Sequence, residues 1–370
     1  MIKIYFDDIV FELQKAGGIS KYWSKMIENF SENNELSLIN IQGDNARDNV
    51  FYPMTSILQI KQDSIFPLQL RRYLPIFNKV KHGIFHSSYY RVPFFFNKNV
   101  KQIVTVHDFM YEFFDSGMKK NIHVWQKRKS MKKADAIICV SKHTKLDLLQ
   151  LYPEINPNIV YVVPNGVDKE FRKLKKQPTI LKVNQDTVSC NQYLLYVGNR
   201  IGCKNFEFVL RLLFQSKFIK ENDFKVVCVG GGKFSKDELS SFKKNDIELS
   251  GKILNIQHVT NEELNKLYNS AYALLFPSKY EGFGIPALEA QAAGCPVVYA
   301  KTSSLPEVMA YTELAYELDN LKEADQRLQF LKNKVFRNTL IKKGISHASK
   351  LSWENSAQLT LEVYKKVLDE

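Results

Sequence analysis

The strongest constraint on this chain is its alternation of short apolar runs with longer segments of helical spacing. MIKIYFD (1–7), GIFHSS (83–88), QIVTVHD (102–108), DAIICVS (135–141) and IVYVVPNG (159–166) are rich in Val and Ile and end in polar or turn residues, as buried strands do. Segments near 19–31, 121–133 and 142–151 place apolar residues at helical intervals between them. Strands that alternate with helices build a parallel sheet, because parallel neighbours need a long crossover. A polar, basic stretch at 169–191 interrupts the pattern. It resumes with YLLYVGN (193–199), FKVVCVGG (224–231), IELSGK (247–252), AYALLFPS (271–278) and CPVVYA (295–300), separated by helical stretches near 204–216, 234–244, 261–270 and 286–293. The sequence thus predicts two doubly wound α/β domains in tandem, one over 1–170 and one over 171–352. The 370 residues exceed what one core usually supports. LSWENSAQLTLEVYKKVLDE (351–370) predicts a last helix, capped by Ser352, with Ala357, Leu361, Val363, Tyr364 and Val367 apolar. Residues 353–370 are expected to pack back on the first domain.

Composition narrows the setting. No run of eighteen apolar residues is present, so no membrane-spanning helix is expected. The opening stretch carries Asp7, Asp8 and Glu12 and lacks a basic start and a small-residue cleavage site, so a secretory leader is not expected either. The cysteines at 139, 190, 203, 228 and 295 have no metal-ligand spacing and read as free thiols of a reducing cytoplasm. A formal net charge of +13 attracts anionic partners of any kind. The densest basic cluster, MKKNIHVWQKRKSMKKA (118–134), mixes Lys and Arg with Trp125 and Val124. That suits a helix lying on an anionic membrane, at the inner face of the cell membrane; it also fits a plain solvated helix face. Nucleic acid is not expected as a partner, since no zinc-finger spacing or RNA-binding sheet signature accompanies the charge.

The chemistry-bearing residues fall where strands end. EGFGIPALEA (281–290) follows a strand and opens a helix: Pro286 fits its first turn and Gly294 its end. Glu281 then lies in the loop and Glu289 in the first helical turn. The backbone amides of Gly282, Phe283, Gly284 and Ile285, on to Ala287, gather at a helix N-terminus, which favours anions and hydroxyl oxygens. Read alone, Glu289 only complements the helix dipole and Glu281 is a solvated loop acid. GNRIGCKN (198–205) sets Arg200 and Lys204 near another helix start, where two cations suit a diphosphate. AGGISKY (16–22) places Gly17 and Gly18 between a strand and a helix, and TVHDF (105–109) puts His107 and Asp108 at a strand end. HSSYYRVP (86–93) adds aromatic groups at a further strand end.

Taken in order, these pieces resemble a family. EGFGIPALEA matches the Glu-x(7)-Glu motif of the family 4 retaining glycosyltransferases, with AAGCPVVYA and SSLPEV after it. YVGNRIGCKN, VPNGVD, AGGIS, TVHDF, VSKHT and the terminal SWE…YKKV match too, over nearly the whole chain. The resemblance implies the GT-B architecture, two facing Rossmann-like doubly wound domains with a cleft between them. It implies transfer of a sugar from a nucleoside-diphosphate sugar to a hydroxyl of a glycan acceptor, such as a lipid-linked oligosaccharide in surface polysaccharide or O-antigen assembly. GDP-mannose is the first expectation for the donor, a UDP-sugar the second.

Roles follow residue by residue. Glu281 would sit beside the donor sugar, the amides of Gly282, Phe283 and Gly284 would bind its hydroxyls, and Glu289 would hold the ribose. Arg200 and Lys204 would neutralise the diphosphate, with the Gly17–Gly18 loop approaching the same phosphates from the other domain. His107 would contact the donor sugar. No cofactor or metal is expected, since no Asp-x-Asp site appears. Two departures stand out: Arg200 and Lys204 are four residues apart where many members space them by five, and MAYTEL follows SSLPEV in place of Gly-Asp. The same fold also serves epimerases, phosphorylases and non-catalytic sugar-nucleotide binders.

Overall fold

A computed structural model describes residues 1–42, 45–53, 57–61, 66–77, 80, 82–94, 99–176, 179–244 and 249–369. Its contacts divide the chain into two compact units: unit 1 is Met1–Gly166 with Trp353–Glu370, and unit 2 is Val167–Ser352.

Unit 1 is built on a seven-stranded sheet of β1 (Ile2–Asp7), β2 (Leu36–Gln42), β3 (Leu58–Lys61), β4 (Gly83–Ser87), β5 (Val100–Val106), β6 (Ala136–Cys139) and β7 (Val160–Val162). Their spatial order is β3-β2-β1-β4-β5-β6-β7, parallel throughout. The order reverses between β1 and β4, which opens a crevice at the carboxyl ends of the strands there. Ile84, Phe85, Ile103, Val104, Ile137 and Ile138 are fully buried, as central strands covered on both faces must be. Helix Gly18–Ser31 buries Tyr22, Trp23, Met26, Ile27 and Phe30, one apolar stripe at helical spacing.

Helix Trp353–Asp369 returns to unit 1 and packs beside it, with the Phe30 and Tyr364 rings 5.6 Å apart. A buried polar chain pins it down. His86 Nδ1 is bonded to the Tyr364 hydroxyl at 2.6 Å and His86 Nε2 to Thr105 Oγ1 at 2.9 Å. The Tyr22 hydroxyl joins the same Thr105 oxygen at 3.2 Å. Burial, with His107 nearby, pushes the His86 pKa down to about 3, so the ring is neutral.

Unit 2 begins with an antiparallel hairpin of β8 (Ile180–Val183) and β9 (Asp186–Ser189). Its main sheet comprises β10 (Tyr193–Val197), β11 (Lys225–Val229), β12 (Ile253–Ile256), β13 (Ala273–Phe276), β14 (Val297–Ala300) and β15 (Ala315–Tyr316). The order β12-β11-β10-β13-β14-β15 is again parallel, and it reverses between β10 and β13.

Several elements differ from the sequence expectation. IELSGK does not form a strand: Leu249–Lys252 is a helical turn and β12 follows it, while residues 247 and 248 lie outside the described residues. Ile253 and Ile256 bury one side chain on each face of the strand. The stretch 169–191 carries the β8–β9 hairpin, whose alternating burial of Leu181, Val183 and Val188 is the mark of a two-residue period. β2 and β3 were not anticipated. Glu289 is the fifth residue of helix Ile285–Ala292, beyond its first turn.

Candidate functional site

The reversal of strand order in unit 2 brings together the loops after β10 and β13, and the predicted groups meet there. Lys204 closes a short 3-10 turn, Gly202–Lys204, before helix Phe206–Gln215. Its Nζ donates to both oxygens of Glu281, at 2.7 and 2.8 Å. Ser278 Oγ donates to the same carboxylate at 2.7 Å, and the Glu281 N–H donates to Ser303 Oγ at 2.8 Å. Ser304 Oγ donates to the carbonyls of Glu281 and Phe283, at 2.9 Å each. The 281–284 turn is therefore fixed from both sides.

Gly284 ends this turn with φ +105, a conformation that favours glycine, and a Cβ there would stand 2.9 Å from Leu305 Cδ2. Beyond it, Ala287 and Leu288 donate back to the Gly284 carbonyl. The N–H groups of Phe283, Gly284 and Ile285 have no partner among the described residues. A cation, a carboxylate and a set of free amides at a helix N-terminus are the elements of a site for an anionic, hydroxyl-bearing ligand.

Glu289 is buried and accepts a hydrogen bond from the Tyr268 hydroxyl at 3.1 Å. Burial, with the Glu289 charge alongside, pushes the Tyr268 phenol far above its ordinary pKa and keeps it a donor.

Arg200 is held elsewhere. Its Nε donates to Glu238 at 2.7 Å, Nη1 to the Gly230 carbonyl at 2.7 Å, and Nη2 to the carbonyls of Gly231, Gly232 and Lys233 at 3.3, 3.0 and 3.1 Å. Its side chain is 2% exposed. Unlike Lys204, it is closed off by the glycine loop after β11. The supporting residues Ser278, Ser303, Tyr268 and Glu238 were not foreseen. Only SSLPEV signalled this shell, through the match that contains Ser303 and Ser304.

In unit 1, Gly17 precedes helix Gly18–Ser31 in extended backbone, and open space surrounds Gly18. His107 follows β5. Its Nε2 is buried without a hydrogen-bond partner among the described residues, and its ring meets Tyr22 edge-on at 4.9 Å. Burial outweighs neighbouring Asp108 and lowers its pKa to about 4, so His107 is neutral near pH 7. Beside it an aromatic cluster gathers at the ends of β4 and β5: the Tyr111 and His123 rings lie 4.0 Å apart, and Tyr89 stands 5.6 Å from His123. The Arg72 guanidinium lies 5.2 Å over Tyr89.

The basic stretch forms helix Gly117–Lys133, and it is two-faced. His123, Gln126, Lys127, Ser130 and Met131 are buried, and Lys127 pairs with Glu112 at 3.0 Å rather than facing solvent. Met118 (77% exposed), Ile122 and Trp125 (57%) face outward, near exposed Phe113 and Phe114. Lys129 Nζ lies 4.8 Å over the Trp125 ring. Among the described residues, no helix is long and apolar enough to cross a membrane, and no group of three or more His, Cys, Asp or Glu side chains is placed to hold a metal ion.

Comparison with known proteins covers both units. Residues 16–171 match the family described as Glycosyltransferase Family 4, and residues 179–347 match Glycosyl transferases group 1. The O-antigen chain mannosyltransferase B of Escherichia coli is 24% identical over 249 residues, 67% of this chain. The O-antigen chain mannosyltransferase RfbU of Salmonella typhimurium is 28% identical over 224 residues, 60% of this chain. The chain spans 64% of the first relative's length and 58% of the second's. Among solved structures, the sucrose-phosphate synthase of Thermosynechococcus elongatus shares the fold, with a TM-score of 0.74 over 100% of both chains at 16% identity.

Proposed function

We propose that this chain, which belongs to the GT-B glycosyltransferases of group 1 and family 4, is a retaining enzyme that moves a sugar from a nucleoside-diphosphate sugar to a glycan hydroxyl. The observation that carries the reading is the meeting of Lys204 and Glu281 beside the free amides of Phe283, Gly284 and Ile285.

Departure of a nucleoside diphosphate concentrates negative charge on the leaving group and leaves an oxocarbenium-like sugar. Lys204 answers the first, Glu281 the second, and fixed amides cost no reorganisation as charge develops. Gly282 belongs to the same turn, Glu289 takes the ribose hydroxyls, and Gly17–Gly18 are assigned to the phosphates. His107, neutral, is assigned to the transferred sugar, as a hydrogen-bond partner rather than a charge. Attack by the acceptor hydroxyl on the face that the leaving group vacates would retain configuration, without a metal ion. Tyr89 and Tyr111 offer faces on which acceptor rings can stack.

The O-antigen chain mannosyltransferase relatives support mannose as the sugar and an O-antigen-type glycan as acceptor; GDP as the donor base and a lipid link on the acceptor are our reading. The outward row of Met118, Ile122 and Trp125, flanked by lysines, favours peripheral contact with an anionic membrane at its cytoplasmic face. The test is a panel of GDP- and UDP-sugars scored by thermal shift and donor hydrolysis, with and without EDTA. One donor should stabilise and be hydrolysed in both conditions. No response to any nucleotide sugar would end the reading, and loss of turnover with EDTA, restored by Mg²⁺, would end its metal-free form.

A further inference from the structure

We propose that Arg200 is a positioning residue: it shapes the Gly230–Lys233 loop, which follows β11 beside the β10 loop that carries Lys204, and does not itself touch the diphosphate, an inference that rests on the nucleotide-sugar reading above.

The guanidinium is saturated from within unit 2. Four carbonyls, from Gly230 through Lys233, converge on Nη1 and Nη2, and Nε donates to Glu238. Glu238 is itself fixed, since its other oxygen accepts the Ser235 N–H at 2.7 Å while its own N–H donates to Ser235 Oγ at 3.1 Å. This reciprocal cap opens helix Lys236–Lys244, so one carboxylate both starts the helix and neutralises Arg200. The Phe234 ring covers the guanidinium at 4.7 Å.

The loop is made for this arrangement. Gly230, Gly231 and Gly232 have φ of +89, +72 and +71, a left-handed run that turns successive carbonyls to one side. A Cβ on Gly231 would stand 2.9 Å from Arg200 Nη1. Freeing Arg200 for a phosphate would break the Glu238 pair and strip these carbonyls of their common donor. Lys204, four residues on, already faces the amide turn through Glu281. The one-residue change in the Arg-to-Lys spacing thus separates two tasks: Lys204 meets the anion, and Arg200 holds the loop.

Arginine-specific labelling with phenylglyoxal and peptide mass spectrometry tests the assignment in the intact protein, with and without GDP or UDP. Arg128 and Arg211, with side chains 51% and 40% exposed, report that the reagent works. Arg200 should stay unlabelled in both states. Labelling in the free protein with protection by the nucleotide would overturn the proposal.

The second arm is Glu238→Gln, which removes the counter-charge and keeps the shape. If Arg200 acts through the loop, nucleoside-diphosphate affinity should fall about tenfold, as for loss of a charged hydrogen bond, and Arg200 should become reactive. If Arg200 were a phosphate ligand restrained by Glu238, affinity would rise; a rise or no change overturns the proposal. Arg200→Lys, which cannot span four carbonyls, should match the loss with an unchanged circular dichroism spectrum, and its failure to fold leaves Glu238→Gln to decide. A parent protein that binds neither GDP nor UDP overturns this assignment together with the reading beneath it, whereas a parent that binds while Glu238→Gln binds equally well overturns this assignment alone.

Discussion

Removing the ammonium of Lys204 isolates a carboxylate that is largely buried. The Glu281 side chain is 8% exposed and the Lys204 side chain 27%. In Lys204→Met, Glu281 keeps the Ser278 hydroxyl but loses both bonds to a charged donor. Breaking a fully buried pair from one side costs about 3–5 kcal/mol, and a charged hydrogen bond about 1.5–3. Water can reach the rim of this pair, so the lower range applies: about 2–3 kcal/mol for Lys204→Met. Glu281→Gln is milder, about 1–2 kcal/mol, because Lys204 can turn towards solvent while a carboxylate in place cannot.

The double variant leaves neither charge stranded, so its loss should fall short of the sum by about 1–2 kcal/mol. Urea and thermal unfolding of the parent, both single variants and the double close the cycle. For a unit of this size, each kcal/mol moves the midpoint by about 2–4 °C, so Lys204→Met should lower it by about 4–12 °C. Only the transition belonging to unit 2 should shift. Strictly additive losses would show that the two side chains do not share a bond in solution, and the charge arrangement built on them would fall with it.

Other expectations concern separate parts of the molecule. Glu289→Ala should weaken nucleoside-diphosphate binding by about 1.5–3 kcal/mol in calorimetry; unchanged affinity would remove the ribose role. His107→Ala should keep that affinity yet lose on the order of a hundredfold in turnover, and transfer at the parent rate would make the ring structural. Sedimentation with anionic liposomes should fall with salt and with Lys→Glu changes at 119, 120, 132 and 133; equal sedimentation would reduce helix Gly117–Lys133 to a solvated face. Burial lowers the pKa of His86, His107 and His123 to about 3, 4 and 3. Unfolded histidines titrate near about 6.5, so the unfolded chain gains protons first as pH falls. Stability should hold above that pH and decline towards about pH 4, less steeply in His86→Gln. A denaturation midpoint flat across this window would mean the rings are hydrated.

Much of the fold was legible because fully buried parallel strands write themselves as apolar runs. β10, β11, β13 and β14 are each built on an apolar run, YLLYV, VVCV, ALLF and VVYA. β2 and β3 were not, because LSLINIQ and LQIK interleave polar residues and LQIK lies at the sheet edge. The IELSGK error came from one Ile and one Leu outweighing Gly251, which takes φ +105 within the helical turn Leu249–Lys252.

At the candidate site, loop position was readable and partnership was not. EGFG and GNRIGCKN sit at strand ends in the sequence, but that Lys204 joins Glu281 follows from β10 and β13 being neighbours, a matter of strand order. Arg200 and Lys204 look alike as text. Only the left-handed glycine run Gly230–Gly232, directly after β11, draws one of them away.

The return of helix Trp353–Asp369 to unit 1 has a consequence for how a nascent chain acquires structure. His86 and Tyr364 are 278 residues apart in sequence, yet they share one buried bond. Unit 1 emerges first during synthesis, but Tyr22, Phe30 and His86 lack their last covering surface until the ribosome has read through all of Val167–Ser352. The side of helix Gly18–Ser31 that carries Phe30 stays open for that interval, which at about 5–20 residues per second is roughly ten to forty seconds. Unit 2 is contiguous and can close as soon as it clears the exit tunnel. The earlier part of the chain is therefore the later to mature, and a stalled or prematurely terminated product would carry a finished unit 2 beside an adhesive, half-sealed unit 1.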